Sequence, residues 1–590
     1  MRRSIATVCL SGTLDEKLAA AARAGFDGVE LFEADLVNSP LAPEEVRALA
    51  EHLGLTIDLY QPFRDFEAVP EPDLRRAEAK FEVMVQLGAD TLLVCSNVSP
   101  EAIDDDDLAA EQLHALAERA SQHGLRIAYE ALAWGRHVNE YDHAWRIVQA
   151  ADHPALGTCL DSFHVLSRGT DLDAIAGIDR LFFLQLADAP HLSMDVLQWS
   201  RHYRCFPGQG AFDLAGFVQR VLAAGYDGPL SLEVFNDVFR QADADRTAVD
   251  AMRSLLVLED ELPASPPLGG FAFVEIGVDA ESALETEELL RALGFGHVGP
   301  HRSKPVQLWQ HGDIRIVLNH GAGEDDPEVV AVAVESADPQ RSAARAEALL
   351  APVLERRRGL GEADLAAIAA PDGTSVFFCG ADASWLDDFV AVEPEGGDGV
   401  PIDRLDHITL AHPFEAFDEA VLFYRSVLDL DPGPSAELAA PGGLVRSRAL
   451  ASGDGRVRIV LNVPALAGTQ RGQAELQHVA FACADALAAA RAMRERGAPI
   501  LPIPDNYYAD LAARYELEHL DELRELDVLY DRTGDGELLH FYSALEGRLF
   551  FEVLERRGGY DGYGAVNSPV RMAAQRTMRR RDAAHAGRRN

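Results

Sequence analysis

Between residues 126 and 237 the chain reads RIAYEAL (126–132), LGTCLDSF (156–163), LFFLQLAD (181–188) and PLSLEVFND (229–237). Each is a short apolar run of strand length, and each carries an oxygen-bearing side chain near its end. Four more runs of this kind lie upstream: SIATVCL (4–10), GFDGVELFE (25–33), LTIDLYQPF (55–63) and TLLVCSN (91–97). Amphipathic stretches fill the gaps, among them LDEKLAAAARAG (14–25), LRRAEAKFEVMVQLG (74–88) and DLAGFVQRVLAAG (213–225). They end in glycine, the residue that most easily closes a helix. Eight strand–helix units in about 255 residues match an α/β fold, the (β/α)8 TIM barrel, in count and size. The alternative, a doubly wound open sheet, would carry GxGxxG after its first strand, where this chain has SGTLDEK (11–17).

Active sites of such barrels lie at the C-terminal ends of the strands. Glu130, Asp161, Gln185 and Glu233 occupy comparable depths on strands five to eight. Carboxylates and an amide are hard oxygen ligands, suited to Mg²⁺, Mn²⁺ or Co²⁺. Three carboxylates converging on one mouth would repel each other without a cation. His164, three residues beyond Asp161, is placed to move a proton near neutral pH. Arg64 in QPFRDFE (61–67) and Arg204 in WSRHYRCFPGQG (199–210) offer guanidinium clamps for a carboxylate or phosphate. Glu33, after the second strand, reads equally as a mouth residue or a solvated one.

The clearest boundary is EDELPASPPLGG (259–270), acidic and rich in proline and glycine. It divides a barrel at 1–258 from an α+β half, with a softer boundary at AVEPEGGDGVPI (391–402). The second half is duplicated: GDIRIVLN (312–319) recurs as GRVRIVLN (455–462), and VAVESAD (332–338) as VAFACAD (479–485). Two strand–helix–three-strand units per repeat give four βαβββ modules over 271–400 and 401–566. In the second repeat His407 (LDHITLA), His478 (LQHVAFA) and Glu552 (FFEVLER) each sit in an apolar strand. Two histidines and one carboxylate form the facial triad of non-haem iron sites. The first repeat aligns Glu275 with His407 and Ala331 with His478, so histidine is not needed there for packing. Residues 567–590, with seven arginines and one acid over 568–590, read as a frayed basic tail.

Composition narrows the partners. The chain has 590 residues, 53 Lys+Arg against 96 Asp+Glu, and a net charge of −43. Such a surface repels nucleic acid and anionic lipid, and makes a local arginine clamp necessary for an anionic substrate. Ordinary apolar and charged content excludes wholesale disorder, collagen and coiled coil. Six scattered cysteines, Cys9, Cys95, Cys159, Cys205, Cys379 and Cys483, form no CxxC pair, which points to reduced thiols and a cytoplasmic location. The N-terminus lacks a full apolar core and cleavage site, and no window approaches a membrane span. Large acidic enzymes with exposed module faces often self-associate, which leaves a homo-oligomer open without fixing the oligomeric state.

Residues 1–258 resemble the xylose-isomerase-like barrels of sugar-phosphate isomerases and epimerases. The phrases RSIATVCLSGTLDEKL (3–18), YEALAWGRHVN (129–139), CLDSFHVLSRG (159–169), FLQLADAP (183–190) and WSRHYRCFPGQG resemble bacterial 3-dehydroshikimate dehydratases of the quinate-degradation type. The resemblance implies a metal set of Glu130, Asp161, Gln185 and Glu233, a substrate-site His164, and substrate contacts from Arg64, Arg204 and Ser200. It implies a hydro-lyase that turns 3-dehydroshikimate into protocatechuate and water. A sugar or inosose isomerase or epimerase on the same barrel is the alternative. Residues 270–566 resemble 4-hydroxyphenylpyruvate dioxygenase, of the vicinal-oxygen-chelate superfamily, through HRSKPVQLWQHGDIRIVLN (301–319), DNYYADL (505–511), DRTGDGELLHFYS (531–543) and LFFEVLERRGGYDGYGAVN (549–567). That resemblance implies Mg²⁺ or Fe²⁺ on His407, His478 and Glu552, and leaves a bifunctional chain with an active dioxygenase half as a further alternative. The chain departs from that pattern at His540, where the family usually has glutamine, and after Gly564, where a gate helix is replaced by the arginine tail.

Overall fold

The computed structural model describes residues 1–322, 326–392, 399–441, 443–464, 476–544 and 547–586. Residues 393–398 of the softer boundary and the last four residues of the tail lie outside these. The chain forms two compact units, Met1–Leu262 and Pro263–Asn590.

In the first unit eight strands form a closed barrel: β1 (Arg3–Ala6), β2 (Gly28–Phe32), β3 (Thr56–Phe63), β4 (Thr91–Cys95), β5 (Arg126–Glu130), β6 (Leu156–Asp161), β7 (Leu181–Leu186) and β8 (Leu230–Leu232). All neighbours are parallel, and β8 pairs with β1 to close the ring. Both faces of each strand are covered, which is why these runs read as nearly continuous apolar segments. Helices start on aspartate caps, such as Asp73 accepting from Arg76 N–H, and end on glycines such as Gly25 and Gly88, whose φ values of +90° and +75° suit a residue without Cβ.

The crossing from β7 to β8 carries an insertion that returns over the barrel mouth. It contains the helix Val196–His202. Asp188 pins it: Oδ1 accepts the N–H groups of Ala189 (2.8 Å) and Phe212 (2.9 Å), and Oδ2 those of Gly208 (3.0 Å) and Gly210 (3.1 Å).

The second unit holds two sheets. The first has the order β10-β11-β12-β9-β13-β15-β14, with β9 (Leu268–Gly277), β10 (Gly296–Pro300), β11 (Val306–His311), β12 (Ile314–Asn319), β13 (Glu328–Ser336), β14 (Ala366–Ala369) and β15 (Ser375–Cys379). The second runs β17-β18-β19-β16-β20-β23-β22-β21, with β16 (Ile402–Ala411), β17 (Asp431–Ala440), β18 (Gly443–Ala451), β19 (Arg458–Pro464), β20 (Gln477–Cys483), β21 (Leu529–Thr533), β22 (Gly536–Tyr542) and β23 (Leu549–Arg557). Each sheet joins two modules across an antiparallel centre, β9 with β13 and β16 with β20. Three modules are βαβββ. The second has two strands after its helix, and an isolated bridge from Val353 to Ile368 stands where its third would pair. The charged run between 355 and 358 offers no alternating apolar face to extend that bridge.

Strand register corrects one equivalence between the repeats. Ile316 of β12 faces Val274, and its sequence counterpart Ile459 faces Ile408. Glu275 therefore corresponds to Thr409, and the counterpart of His407 is Phe273. The same ladders make Ala331 the counterpart of His478 and Phe377 that of Glu552. Glu275 and Phe273 share one face of the strand, so the two-residue offset preserves the pattern that sequence comparison matched.

The expected frayed tail is a helix, Ser568–Ala586. Met572 (2% exposed) and Arg571 (6%) are buried, with the Arg571 guanidinium 4.9 Å from the Phe550 ring centre. Counting arginines hid this: one of them lies on aromatic rings and its neighbour supplies apolar contact. No helix among the described residues is long and apolar enough to cross a membrane.

Replacing Asp188 by alanine leaves four backbone donors without their acceptor and should destabilise the protein by about 2–4 kcal/mol. Urea unfolding of the Asp188→Ala variant measures this, and a change below about 0.5 kcal/mol contradicts the pinning role.

Candidate metal centres

Three of the four strand-end groups, Glu130, Asp161 and Glu233, lie together. Glu130 ends β5, Asp161 ends β6, Gln185 lies across from Asp161 on β7, and Glu233 follows β8. All four are buried, between 0 and 5% exposed. A small cavity of about 40 Å³ is lined by Glu130, Glu233, His164, Arg64, Ser200 and Arg204, among others. Asp161 reaches the same group through Arg204. Gln185 lies deeper: its Nε2 donates to Glu30 Oε2 at 2.6 Å, and its Oε1 receives the Cys159 thiol at 3.4 Å. Glu33 lies outside this lining, half-buried in an ion pair with Lys80.

Arg204 sits at the centre of the cluster, fully buried. Nη1 donates to Asp161 Oδ2 (2.7 Å) and Glu233 Oε2 (3.1 Å), while Nε and Nη2 reach Ser200 Oγ at 3.1 and 2.9 Å. Rings of Phe163 and Phe235 lie 4.7 and 5.3 Å from its guanidinium carbon. Sequence reasoning expected this arginine to face a substrate anion. In the structure its N–H groups are engaged by the carboxylates expected to bind metal, because a buried cation is stable only where acids surround it. Arg64 lines the cavity as well.

The electrostatics are those of crowded acids. Burial, with repulsion from Asp161 and Glu233, lifts Glu130 well above the usual carboxylate range. Burial also pushes Glu233 up to about 7, although Arg204 opposes it. Asp161 is buried too, yet Arg204 and His164 hold it below its ordinary value. Burial drives His164 down to about 3, so its imidazole is neutral at physiological pH. Ala133 N–H points at Nδ1 (3.1 Å) and Arg204 Nη2 lies 3.2 Å from Nε2. A neutral ring has one lone-pair nitrogen for these two donors.

Glu130 Oε1 is a buried acceptor without a hydrogen-bond partner. Ligand atoms of Glu130, Asp161 and His164 lie within 4.8 Å of one another. An orphaned carboxylate oxygen beside two further acids fits a hard divalent cation.

Sequence reasoning missed Glu30. It is fully buried on β2, accepts from Gln61 Nε2 (2.9 Å) and Gln185 Nε2, and binds the Ser231 hydroxyl. Burial raises its pKa well above the usual range. Its signal was a lone acid between Val29 and Leu31 within a buried strand. By anchoring Nε2 of Gln185, Glu30 fixes which way that amide oxygen points.

In the second unit His407, His478 and Glu552 form a tight group. His407 Nε2 lies 3.1 Å from His478 Nε2 and 3.4 Å from Glu552 Oε2, and His478 Nε2 lies 3.2 Å from that oxygen. The His407 Nδ1–H donates to Asp406 Oδ1 (2.9 Å), which leaves Nε2 with its lone pair toward the group. Asp406 is held by Arg556 at 2.7 and 3.0 Å. Burial drives His478 down to about 4, and although burial opposes them, the surrounding histidines hold Glu552 well below its usual range. Neutral His478 and ionised Glu552 are the metal-binding forms. His540 Nδ1 takes the other Glu552 oxygen at 2.7 Å, and Asn567 Nδ2 bonds its Nε2 at 2.9 Å.

Three family models match the chain: the xylose isomerase-like TIM barrel over 18–256, the hydroxyphenylpyruvate dioxygenase N-terminal family over 265–379, and the glyoxalase/bleomycin resistance protein/dioxygenase superfamily over 404–534. A 3-dehydroshikimate dehydratase of Pseudomonas aeruginosa is 46% identical over 98% of this chain and 99% of its own. The chain belongs to the 3-dehydroshikimate dehydratase family. The Pseudomonas putida member is 44% identical over 98% of this chain and 99% of its own. A solved structure described as a xylose isomerase-like TIM barrel/4-hydroxyphenylpyruvate dioxygenase fusion protein superposes with a TM-score of 0.88, at 43% identity, over 98% of this chain and 100% of that one. Side chains grouped as metal ligands thus occur in both halves of a family fusion.

Because Glu233 must ionise to bind a cation, uptake by the barrel should weaken as pH falls below about 7, by about tenfold per unit for each proton displaced. Titration of the His478→Ala variant with Mn²⁺ at pH 6 and 8 isolates the barrel site. Equal affinities at both values contradict the assignment.

Proposed function

We propose that residues 1–258 dehydrate 3-dehydroshikimate to protocatechuate and water. The observation that carries this reading is the single buried cavity that gathers Glu130, Glu233, His164, Ser200, Arg64 and Arg204, in a chain nearly half identical to two dehydratases along its length. An isomerase or epimerase of sugar phosphates would more often offer backbone N–H groups for a phosphate, whereas this cavity offers guanidinium groups.

Glu130, Asp161, Gln185 and Glu233 would hold Mg²⁺, Mn²⁺ or Co²⁺. Such an ion supplies Lewis acidity at the substrate ketone. The chain's own residues do the rest. Arg64 draws in the ring carboxylate on a surface that otherwise repels anions, while Arg204 holds Asp161 and Glu233 in place. Ser200 Oγ, bonded to Arg204, fixes the guanidinium plane. His164, held neutral by burial, is the group placed to take the proton from the carbon beside the ketone or to protonate the departing β-hydroxyl. Loss of that proton and of hydroxide releases one water, and tautomerisation of the dienone gives the aromatic diol.

We assign 271–400 to a metal-free repeat and 401–566 to a metal-binding repeat carrying Mg²⁺ or Fe²⁺ on His407, His478 and Glu552. We read the latter as stabilising rather than oxygenating, because His540, itself held by Asn567, engages the far side of Glu552 and Tyr563 stands edge-on 5.3 Å from His407. All six cysteines are buried free thiols, in keeping with a reducing, cytoplasmic setting.

Incubation with 3-dehydroshikimate and Mg²⁺, Mn²⁺ or Co²⁺ should yield protocatechuate, followed by its ultraviolet absorbance. Glu130→Ala should cut kcat by at least about 10³-fold with the fold retained; near-normal turnover contradicts the reading. His478→Ala should remove one metal equivalent and leave kcat within about threefold. Total loss of activity in that variant would instead make the halves catalytically coupled.

A further inference from the structure

The second unit is duplicated, and strand register shows what stands in one repeat where the other carries its histidine–carboxylate triad. His407, His478 and Glu552 correspond to Phe273, Ala331 and Phe377. The ligating nitrogens and oxygen have been exchanged for two phenyl rings and a methyl group. Beside these rings lies a cavity of about 350 Å³, within the range of ligand pockets, about 300–1,000 Å³.

Its walls are aromatic. Phe273 lies 5.7 Å from Phe377 and 4.8 Å from Trp385, and Trp385 lies 6.0 Å from Phe389. Val306, Val317 and Leu365 add aliphatic surface. These rings pack on one another and together form an apolar wall of the cavity, against which a planar ring can lie.

The charged groups that line it are Lys304, Arg356, Arg357, Glu275 and Asp388, together with His301. Lys304 is paired with Glu362 at 3.2 Å, and Asp388 accepts Ala363 N–H (2.9 Å) and faces Arg302 at 3.6 Å. Burial lowers the pKa of His301, so that ring adds no charge at neutral pH. Among the described residues Arg356 and Arg357 form no ion pair with a carboxylate. The Arg356 guanidinium lies 4.9 Å from the Phe377 ring centre and donates only a long bond, 3.4 Å, to the Leu365 carbonyl. On a chain of net charge −43, two guanidiniums that form no carboxylate ion pair, beside an aromatic wall, mark an anion site, with Arg356 also acting across it on Glu275. At another wall Glu275 accepts Asn319 Nδ2 at 2.5 Å through Oε1, which leaves Oε2 to receive a hydroxyl.

We propose that this cavity is a binding site for a monocyclic aromatic carboxylate that carries a ring hydroxyl. The ring lies against Phe273, Phe377 and Trp385, the carboxylate meets Arg356, and the hydroxyl donates to Glu275. The site is separate from the barrel, and its existence does not depend on which reaction the barrel performs.

Equilibrium titration of the full-length protein with 4-hydroxybenzoate, by calorimetry and by quenching of Trp385 fluorescence, tests this. Arg64→Leu is included to remove any binding at the barrel mouth. In that background Arg356→Leu and the cavity-filling Val317→Trp should each weaken binding at least tenfold. Phenol, without the carboxylate, should bind at least tenfold more weakly than 4-hydroxybenzoate, and benzoate, without the hydroxyl, severalfold more weakly. Trp385→Phe should abolish the fluorescence change and keep the calorimetric heat. Unchanged affinity in both Arg356→Leu and Val317→Trp, or phenol binding as tightly as 4-hydroxybenzoate, overturns the proposal.

Discussion

Three carboxylates and one guanidinium buried together at a barrel mouth set the terms for everything around them. Glu130, Asp161 and Glu233 are each under 6% exposed, and Arg204, fully buried, neutralises two of them. Glu130 is left with an unpartnered oxygen and a strongly raised pKa. Such a cluster is costly to bury and tolerable only where further positive charge can enter. The surrounding devices serve that condition: Glu30 holds the Gln185 amide, Asp188 pins the insertion that delivers Arg204 and Ser200, and Ala133 N–H faces the His164 ring.

The second unit shows the converse. The same module carries a histidine–carboxylate triad in one repeat and a phenylalanine-lined cavity in the other. The central ladders keep the same register, so the ligand positions differ by side chain and not by backbone pairing. In the triad repeat, Asp406 and Arg556 orient His407; in the cavity repeat, Glu275 and Arg356 line the cavity beside the rings. The duplicated scaffold thereby carries two different side-chain sets, a histidine–carboxylate group in one repeat and an aromatic-lined cavity in the other.

Much of this was legible in the sequence, and the reasons are specific. The barrel announced itself because parallel strands covered on both faces read as apolar runs at regular spacing, and its candidate ligands because each stands near the C-terminal end of one of β5 to β8. Glu30 escaped notice because it neither ends a strand nor belongs to a motif; only the closed barrel brings it to Gln61 and Gln185, which are distant in sequence. The partners of Arg204 were likewise set by an insertion whose path the sequence does not spell out. Aligning Glu275 with His407 failed by two residues, since strand periodicity alone cannot tell apart two positions on one face. The C-terminal helix was hidden by its arginine content, because composition does not show that Arg571 stacks on Phe550.

The central claim is that strand ends β5 to β8 hold a divalent cation in the barrel. Anomalous diffraction from crystals of the full chain loaded with Mn²⁺ tests it most directly. The account predicts a peak enclosed by Glu130, Asp161, Gln185 and Glu233. A barrel mouth that shows no such peak at saturating Mn²⁺, or a peak bound by none of these side chains, contradicts it.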